Sequence, residues 1–267
     1  MTVRLLRSRV TLCALVVCLA AGTVLAQRFG EGRNRREELG VEVQGNTPYD
    51  GRFVFVRLRY DSGFGDGFGR RRGGGPPWAH DYPDGEVHFT KIMEELSLLR
   101  VRTDGSNILS LGDPELFNYP VAYMAEPGLW NVSPSEADSF RSYLLKGGFA
   151  IFDDFRGYDW ENLQEQMRRV LPEAKWVELT GVEPIFHSFF EIDNPQDLVP
   201  PYDQSLTPSY WGIYEGNDPK KRLLAIANVN NDLSEYWEFS GTGYFVVDLS
   251  NEAYKFGVNY VMYALTH

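Results

Sequence analysis

Carboxylates and amides gather at a few points in this chain. Tyr60 and Asp61 follow one apolar run, Glu126 follows another, and Asp153 and Asp154 end a third. Asn230, Asn231 and Asp232 follow a fourth. Asp81 and Tyr82 lie in a connecting segment. Adjacent carboxylates repel and raise each other's pKa unless a cation or a donor compensates. A rim built from these groups could hold a divalent cation such as Ca²⁺ or Mg²⁺ through oxygen ligands. It could instead pair an acid with a base, or hydrogen-bond a sugar with Trp and Tyr rings for stacking. Asp and Asn also favour caps and turns, so no one of these residues is decisive.

Several chemistries are excluded by what is missing. No G-x-G-x-x-G and no Gly-Lys-Ser/Thr can be laid on the Gly-rich stretch 62–77, which carries Arg70, Arg71 and Arg72. No G-x-S-x-G and no H-E-x-x-H occurs, and His80, His88, His187 and His267 are scattered without metal spacing. His187, in Pro184-Ile-Phe-His187-Ser-Phe-Phe, is either a satisfied half-buried histidine or an acid, base or ligand reaching a cleft.

The elements that would position these groups alternate between strands and helices. Phe53–Leu58, Pro120–Met124, Phe149–Phe152, Arg222–Asn228 and Tyr244–Val247 read as strands. Helices are predicted over Val87–Leu99, from Ser133 to about Gly147, from Asp159 to Pro172 and over Asn251–Leu265. Ser133-Pro134-Ser135-Glu136 carries a capping box with proline at the first helical position. This alternation predicts an α/β three-layer sandwich around a mainly parallel sheet. In such sheets ligands bind beyond the carboxyl ends of the strands, where the carboxylates and amides fall.

The chain of 267 residues carries a net charge of −11. That balance argues against a nucleic-acid partner. Residues 1–26 read as a signal peptide: Arg4, Arg7 and Arg9 precede an apolar stretch, Val10 to Ala21, too short to span a bilayer, and Val24-Leu25-Ala26 suits cleavage. The segment holds three arginines and no acid, so its removal takes the charge to −14. Both cysteines, Cys13 and Cys18, leave with it. The mature chain is then expected outside the cytoplasm, periplasmic or extracellular, with no thiol nucleophile and no further apolar run long enough to cross a membrane. Residues 27–51 read as a polar linker and 52–267 as one α/β domain.

These strings, taken in order, resemble the bacterial domain-of-unknown-function family 4159. The resemblance rests on Phe53-Val-Phe-Val-Arg-Leu-Arg-Tyr60-Asp61-Ser62, Trp78 with Asp81-Tyr82-Pro83, and Asp113-Pro-Glu-Leu-Phe117. It continues through Tyr123-Met-Ala-Glu126-Pro-Gly128, Gly147-Gly-Phe149 into Asp153-Asp-Phe155, Pro184-Ile-Phe-His187-Ser-Phe, Asn230-Asn-Asp232 and the stretch from Gly257 to His267. That family is in turn similar to class I glutamine amidotransferase-like domains, which implies a flavodoxin-like sandwich. Amidotransferase activity does not carry over, because its chemistry needs a cysteine nucleophile.

Besides a structural subunit of an envelope assembly, two functions are compatible with these residues. The first is an exported module binding a carbohydrate, a divalent cation or an envelope partner protein, with Tyr60, Asp61, Asp81, Tyr82, Asn230, Asn231 and Asp232 as ligand contacts. The second is a hydrolase or lyase acting on a saccharide-like substrate. There Asp153 or Asp154 would be base or metal ligand, His187 its partner, and Glu126 or Asp232 a second carboxylate.

Overall fold

A computed structural model describes residues 43–62 and 75–267. The expected signal peptide, residues 27–42 of the linker and nearly all of the Gly/Arg-rich stretch lie outside the described residues.

The core is a seven-stranded sheet in the order β2-β1-β3-β4-β7-β6-β5. Its strands are β1 (Val56–Arg59), β2 (Asn107–Ser110), β3 (Val121–Ala125), β4 (Phe149–Phe155), β5 (Trp176–Leu179), β6 (Ser209–Tyr214) and β7 (Leu223–Val229). β1 pairs in parallel with β2 and β3, and β4 with β3 and β7. Only β6 runs the other way, antiparallel to β5 and β7. β3, β4 and β7 are buried along their whole length, as expected of strands covered on both faces.

The helices are α1 (Asp84–Leu96), α2 (Pro134–Leu145), α3 (Asp159–Val170), α4 (Leu233–Glu238) and α5 (Val247–Thr266). α1, α4 and α5 cover one face, over Phe55, Tyr123, Ile151 and Ile226. Trp237 of α4 stacks on Phe89 of α1 with ring centroids 4.5 Å apart. α5 approaches that pair closely at Gly257, where a Cβ would come within 2.5 Å of the Phe89 ring. On the other face Trp130 packs on Phe140 of α2 and on Phe152, and α3 buries Leu163 and Met167. Among the described residues no helix is long and apolar enough to cross a membrane.

The capping box at Ser133 and Glu136 forms as its spacing predicts. Asp159, expected as a cap, instead sits inside the first turn of α3 after Tyr158. The expected strand at Tyr244–Val247 does not exist. The segment follows turns at Gly241 and Gly243, with φ of +76° and +80°, and Val247 opens α5. Tyr244 and Phe245 instead pack on Phe239 and Tyr236 as the chain enters α5. Residues 44–47, expected as linker, dock on the domain. Asn46 exchanges two hydrogen bonds of 2.8 Å with the backbone of Ile108 and so covers part of the edge strand β2.

The chain steps from β1 to β2 on one side and then returns to β3 on the other. The carboxyl ends of β1 and β3 therefore flank the topological switch point, where open α/β sheets form a crevice.

Candidate metal centre

Four side chains converge at that rim. His80, Asp81, Asp154 and Asp232 each offer a ligand atom, and these atoms lie within 4.8 Å of one another. They come from three places in the chain: the segment before α1, the end of β4, and the residue after the β7 turn.

The end of β4 is shaped by a β-bulge. Phe152 is level with Ala227 and Phe155 with Val229, so Asp153 and Asp154 together face the single residue Asn228. Neighbouring strand residues normally point to opposite faces. The extra residue removes that constraint, and Asp154 takes φ +56°. Its side chain then reaches His80, with Oδ2 2.7 Å from Nδ1. Asp81 and Glu126 also have positive φ, +61° and +46°. Non-glycine residues seldom adopt this region, and such strain concentrates at functional sites.

The segment carrying His80 and Asp81 is held from beneath by Arg57 on β1. Arg57 is fully buried, pairs with Glu86 of α1, and donates to the carbonyls of Trp78 at 2.9 Å and His80 at 2.7 Å. Asp232 is placed by its role as N-cap of α4, where Oδ1 accepts from the Glu235 amide at 3.0 Å.

Asp153 does not face the cluster openly. Its Oδ1 accepts from Asn228 at 2.9 Å, and its Oδ2 accepts from Tyr123 and from the Leu233 and Ser234 amides. It is completely buried and ties β4 to the first turn of α4. Burial pushes its carboxyl up to about 7, against the pull of these donors and with the Asp154 charge adding to the rise. Asp153→Asn would turn an amide donor toward Asn228, which cannot flip because its own Oδ1 accepts from Tyr260. One buried donor is then unsatisfied, so a stability loss of about 1–3 kcal/mol is expected in urea unfolding. An unchanged midpoint would mean that Asp153 is not a structural tie.

Charge dominates the cluster. Burial opposes the His80 imidazolium, but the hydrogen bond to Asp154 and the charges of Asp81, Asp154 and Glu126 win, raising its pKa to about 10. Burial, with the charges of Asp154, Asp81 and Asp153, pushes Asp232 well above the usual carboxylate range. The Asp81 side chain has no solvent exposure. Its Oδ2 accepts from the Ser234 hydroxyl, but Oδ1 accepts no hydrogen bond, and His80 Nδ1 lies 3.4 Å from it. A buried carboxylate oxygen without a donor is costly. A cation at the centre of the four groups would satisfy it. One imidazole and three carboxylates suit a divalent ion such as Mn²⁺ or Zn²⁺.

The structure brings Asp81, Asp154 and Asp232 together and separates other residues named from sequence. Glu126 lies at the rim, buried, and its carbonyl accepts from Tyr60 at 2.6 Å. The same hydroxyl lies 3.0 Å from the Ala125 carbonyl, so its one hydrogen ties β1 to the end of β3, which is the role the structure gives Tyr60. Asp61 is exposed, and its carbonyl accepts from the Asn131 amide. The Tyr82 hydroxyl accepts from the Gln44 amide. Asn231 is buried and donates to Leu198 and Tyr210, while Asn230 bridges to Gly157 and Thr207. His187 follows the edge strand β5, where its nitrogens lie 2.6 Å from Glu191 Oε2 and from the Gly181 carbonyl. It shares no partner with Asp153.

His80 itself was one scattered histidine in the sequence. Its adjacency to Asp81 is the signal that could have singled it out. Glu235 and Glu238, three residues apart in a stretch given no element from sequence, carried no such signal.

Within the described part of the chain, the family comparison covers all of these elements. No curated protein matches the chain. A family model described as "Domain of unknown function (DUF4159)" matches residues 54–265, from before β1 to the last turn of α5. The chain belongs to that family.

Proposed function

We propose that this is an exported binding module centred on a divalent cation held by His80, Asp81, Asp154 and Asp232. The cation presents open positions at the switch-point crevice to a small oxygen-rich ligand, such as a carbohydrate. The observation that carries the reading is Asp81 Oδ1, buried without a hydrogen bond among three other ligating groups. Arg156, immediately after β4, lies over the Tyr202 ring at 4.2 Å and supplies a donor and an aromatic face beside the cluster. Burial raises the Tyr202 hydroxyl's pKa, and the charges of Asp232 and Asp154 add to the rise.

The sequence of residues 1–26 supports export. The parallel sheet with its crevice supports an amidotransferase-like version of the fold, without that chemistry, since no cysteine follows Cys18. A hydrolase or lyase using Asp153 with His187 gains nothing from the geometry, because Asp153 is enclosed by donors and His187 belongs to another edge.

The test is a thermal-shift series in EDTA, Mn²⁺, Zn²⁺, Mg²⁺ and Ca²⁺. A cation at about a hundred times its Kd adds about 2.7 kcal/mol. At about 2–4 °C per kcal/mol for a domain of this size, the expected rise in Tm is roughly 5–10 °C. The absence of a rise with every cation overturns the reading.

A further inference from the structure

The turn that carries Asp232 also positions a positive charge. Asn230, in that turn, takes φ +58°. Its amide donates to the Phe155 carbonyl at 3.0 Å, and its Oδ1 accepts from the Gly157 amide at 3.3 Å. The backbone on both sides of Arg156 is thereby tied to one asparagine. Asn230 Nδ2 donates to the Thr207 carbonyl at 3.1 Å and so fixes one end of the loop 198–207. Asn231 holds the other end through the Leu198 carbonyl, and the Tyr236 hydroxyl donates to the Val199 carbonyl. The Tyr202 ring, within that loop, carries the Arg156 guanidinium at 4.2 Å. The asparagines that precede Asp232 therefore set Arg156 and Tyr202 against each other on the rim where Asp154 and Asp232 lie.

We infer that Arg156 and Tyr202 form an anion subsite beside the centre, and that the ligand carries an oxyanion, a carboxylate or a phosphate, seated on the guanidinium fork. This reading rests on the cation site proposed above and names the class of ligand that the site takes.

The donors of Arg156 are unspent. Among the described residues its guanidinium makes no ion pair and no hydrogen bond, although carboxylates crowd the rim. Arg57, Arg102, Arg141 and Arg222 in contrast spend theirs on carbonyls and side chains. A guanidinium resting its face on an aromatic ring keeps the edge of its plane free, and that edge matches a carboxylate or phosphate with two parallel hydrogen bonds. The stack also removes rotamer freedom that an unsupported arginine would lose on binding. The second observation is the Tyr202 hydroxyl, which is buried and has no hydrogen-bond partner. Buried hydroxyls are nearly always paired. An oxyanion at the guanidinium edge would give this one an acceptor, because the two groups are stacked. A neutral sugar hydroxyl could satisfy the tyrosine but would leave the charge of the fork unmatched.

The experiment uses the full chain loaded with Mn²⁺ and titrated by calorimetry with D-glucuronate, inorganic phosphate and D-glucose. The expected result is saturable binding of an anion, tighter than that of glucose, and the anion that binds tells a carboxylate from a phosphate. In Arg156→Gln its affinity is expected to fall about 10–100-fold, the loss of a charge-assisted pair. Tyr202→Phe keeps the ring under the guanidinium and is expected to weaken binding by a smaller factor. The Mn²⁺-dependent rise in Tm should persist in both variants, since neither residue ligates the cation. No binding of either anion, glucose bound as tightly, or an unchanged affinity in either variant overturns the subsite, and a rise in Tm that is still present leaves the cation site standing. Absence of the rise in the unaltered chain overturns the cation site, while anion binding that depends on Arg156 would then leave the subsite alone.

Discussion

Asp154→Asn is expected to abolish the cation-dependent rise of roughly 5–10 °C in Tm while leaving the cation-free protein folded. The residue sits at φ +56° in the β4 bulge, where most side chains would be strained. Asparagine is among the few that tolerate this region, so the backbone should persist. The amide oxygen can still accept from His80 Nδ1, which preserves the contact now spanning 2.7 Å. The anionic oxygen that would ligate a cation is lost. The variant also removes one of the charges that raise Asp232. Its stability in EDTA should therefore equal or slightly exceed that of the unaltered protein. The pair of measurements separates two roles. A rise that survives in Asp154→Asn would mean that the cation binds elsewhere. A large loss of stability in EDTA would mean that Asp154 is a structural tie of the bulge and not a ligand.

The rim was legible in the sequence because it follows from one rule about parallel sheets. Asp154 lies in the polar end of the run that becomes β4, and Asp232 three residues beyond β7. The internal assignment of roles was not legible. Asp153 and Asp154 look equivalent as a dipeptide, and only the bulge gives one to the α4 amides and the other to His80. A bulge leaves no mark in residue type when neither position is glycine. His80 was obscured because it lies about twenty residues beyond β1, and its position depends on a buried arginine that reads as an ordinary strand residue. Residues 44–47 looked like linker because side-chain amides, not apolar groups, dock them. β5 and β6 escaped notice because β6 reverses direction, and a short antiparallel pair at a sheet edge does not follow the strand–helix alternation. Tyr244–Val247 shows the opposite error, since its composition suits a strand, whereas its aromatic rings pack on Tyr236 and Phe239 and lead the chain into α5.

Arg57→Met is expected to lower stability by about 3–5 kcal/mol, or roughly 6–20 °C in Tm, and to weaken cation binding as well. Arg57 and Glu86 form a buried pair with side chains 1% exposed. Removing the arginine leaves Glu86 charged and unpaired in the core. Burial already pushes the Glu86 carboxyl up with Arg57 beside it, and it would rise further without it. A carboxyl raised in the folded state binds its proton more tightly folded than unfolded. The deficit should therefore shrink as pH falls toward that raised pKa and be largest above it. The double variant Arg57→Met, Glu86→Leu removes both charges, and exchange of a buried pair for apolar side chains is often neutral. Most of the lost stability should return. Cation affinity should not, because the carbonyls of Trp78 and His80 still lack the guanidinium that positions the segment bearing His80 and Asp81. Loss of such an outer contact typically weakens metal binding about 10–100-fold. Urea unfolding and Mn²⁺ titration on the same three proteins decide the matter. If affinity returns together with stability in the double variant, Arg57 is only a structural ion and has no part in shaping the centre.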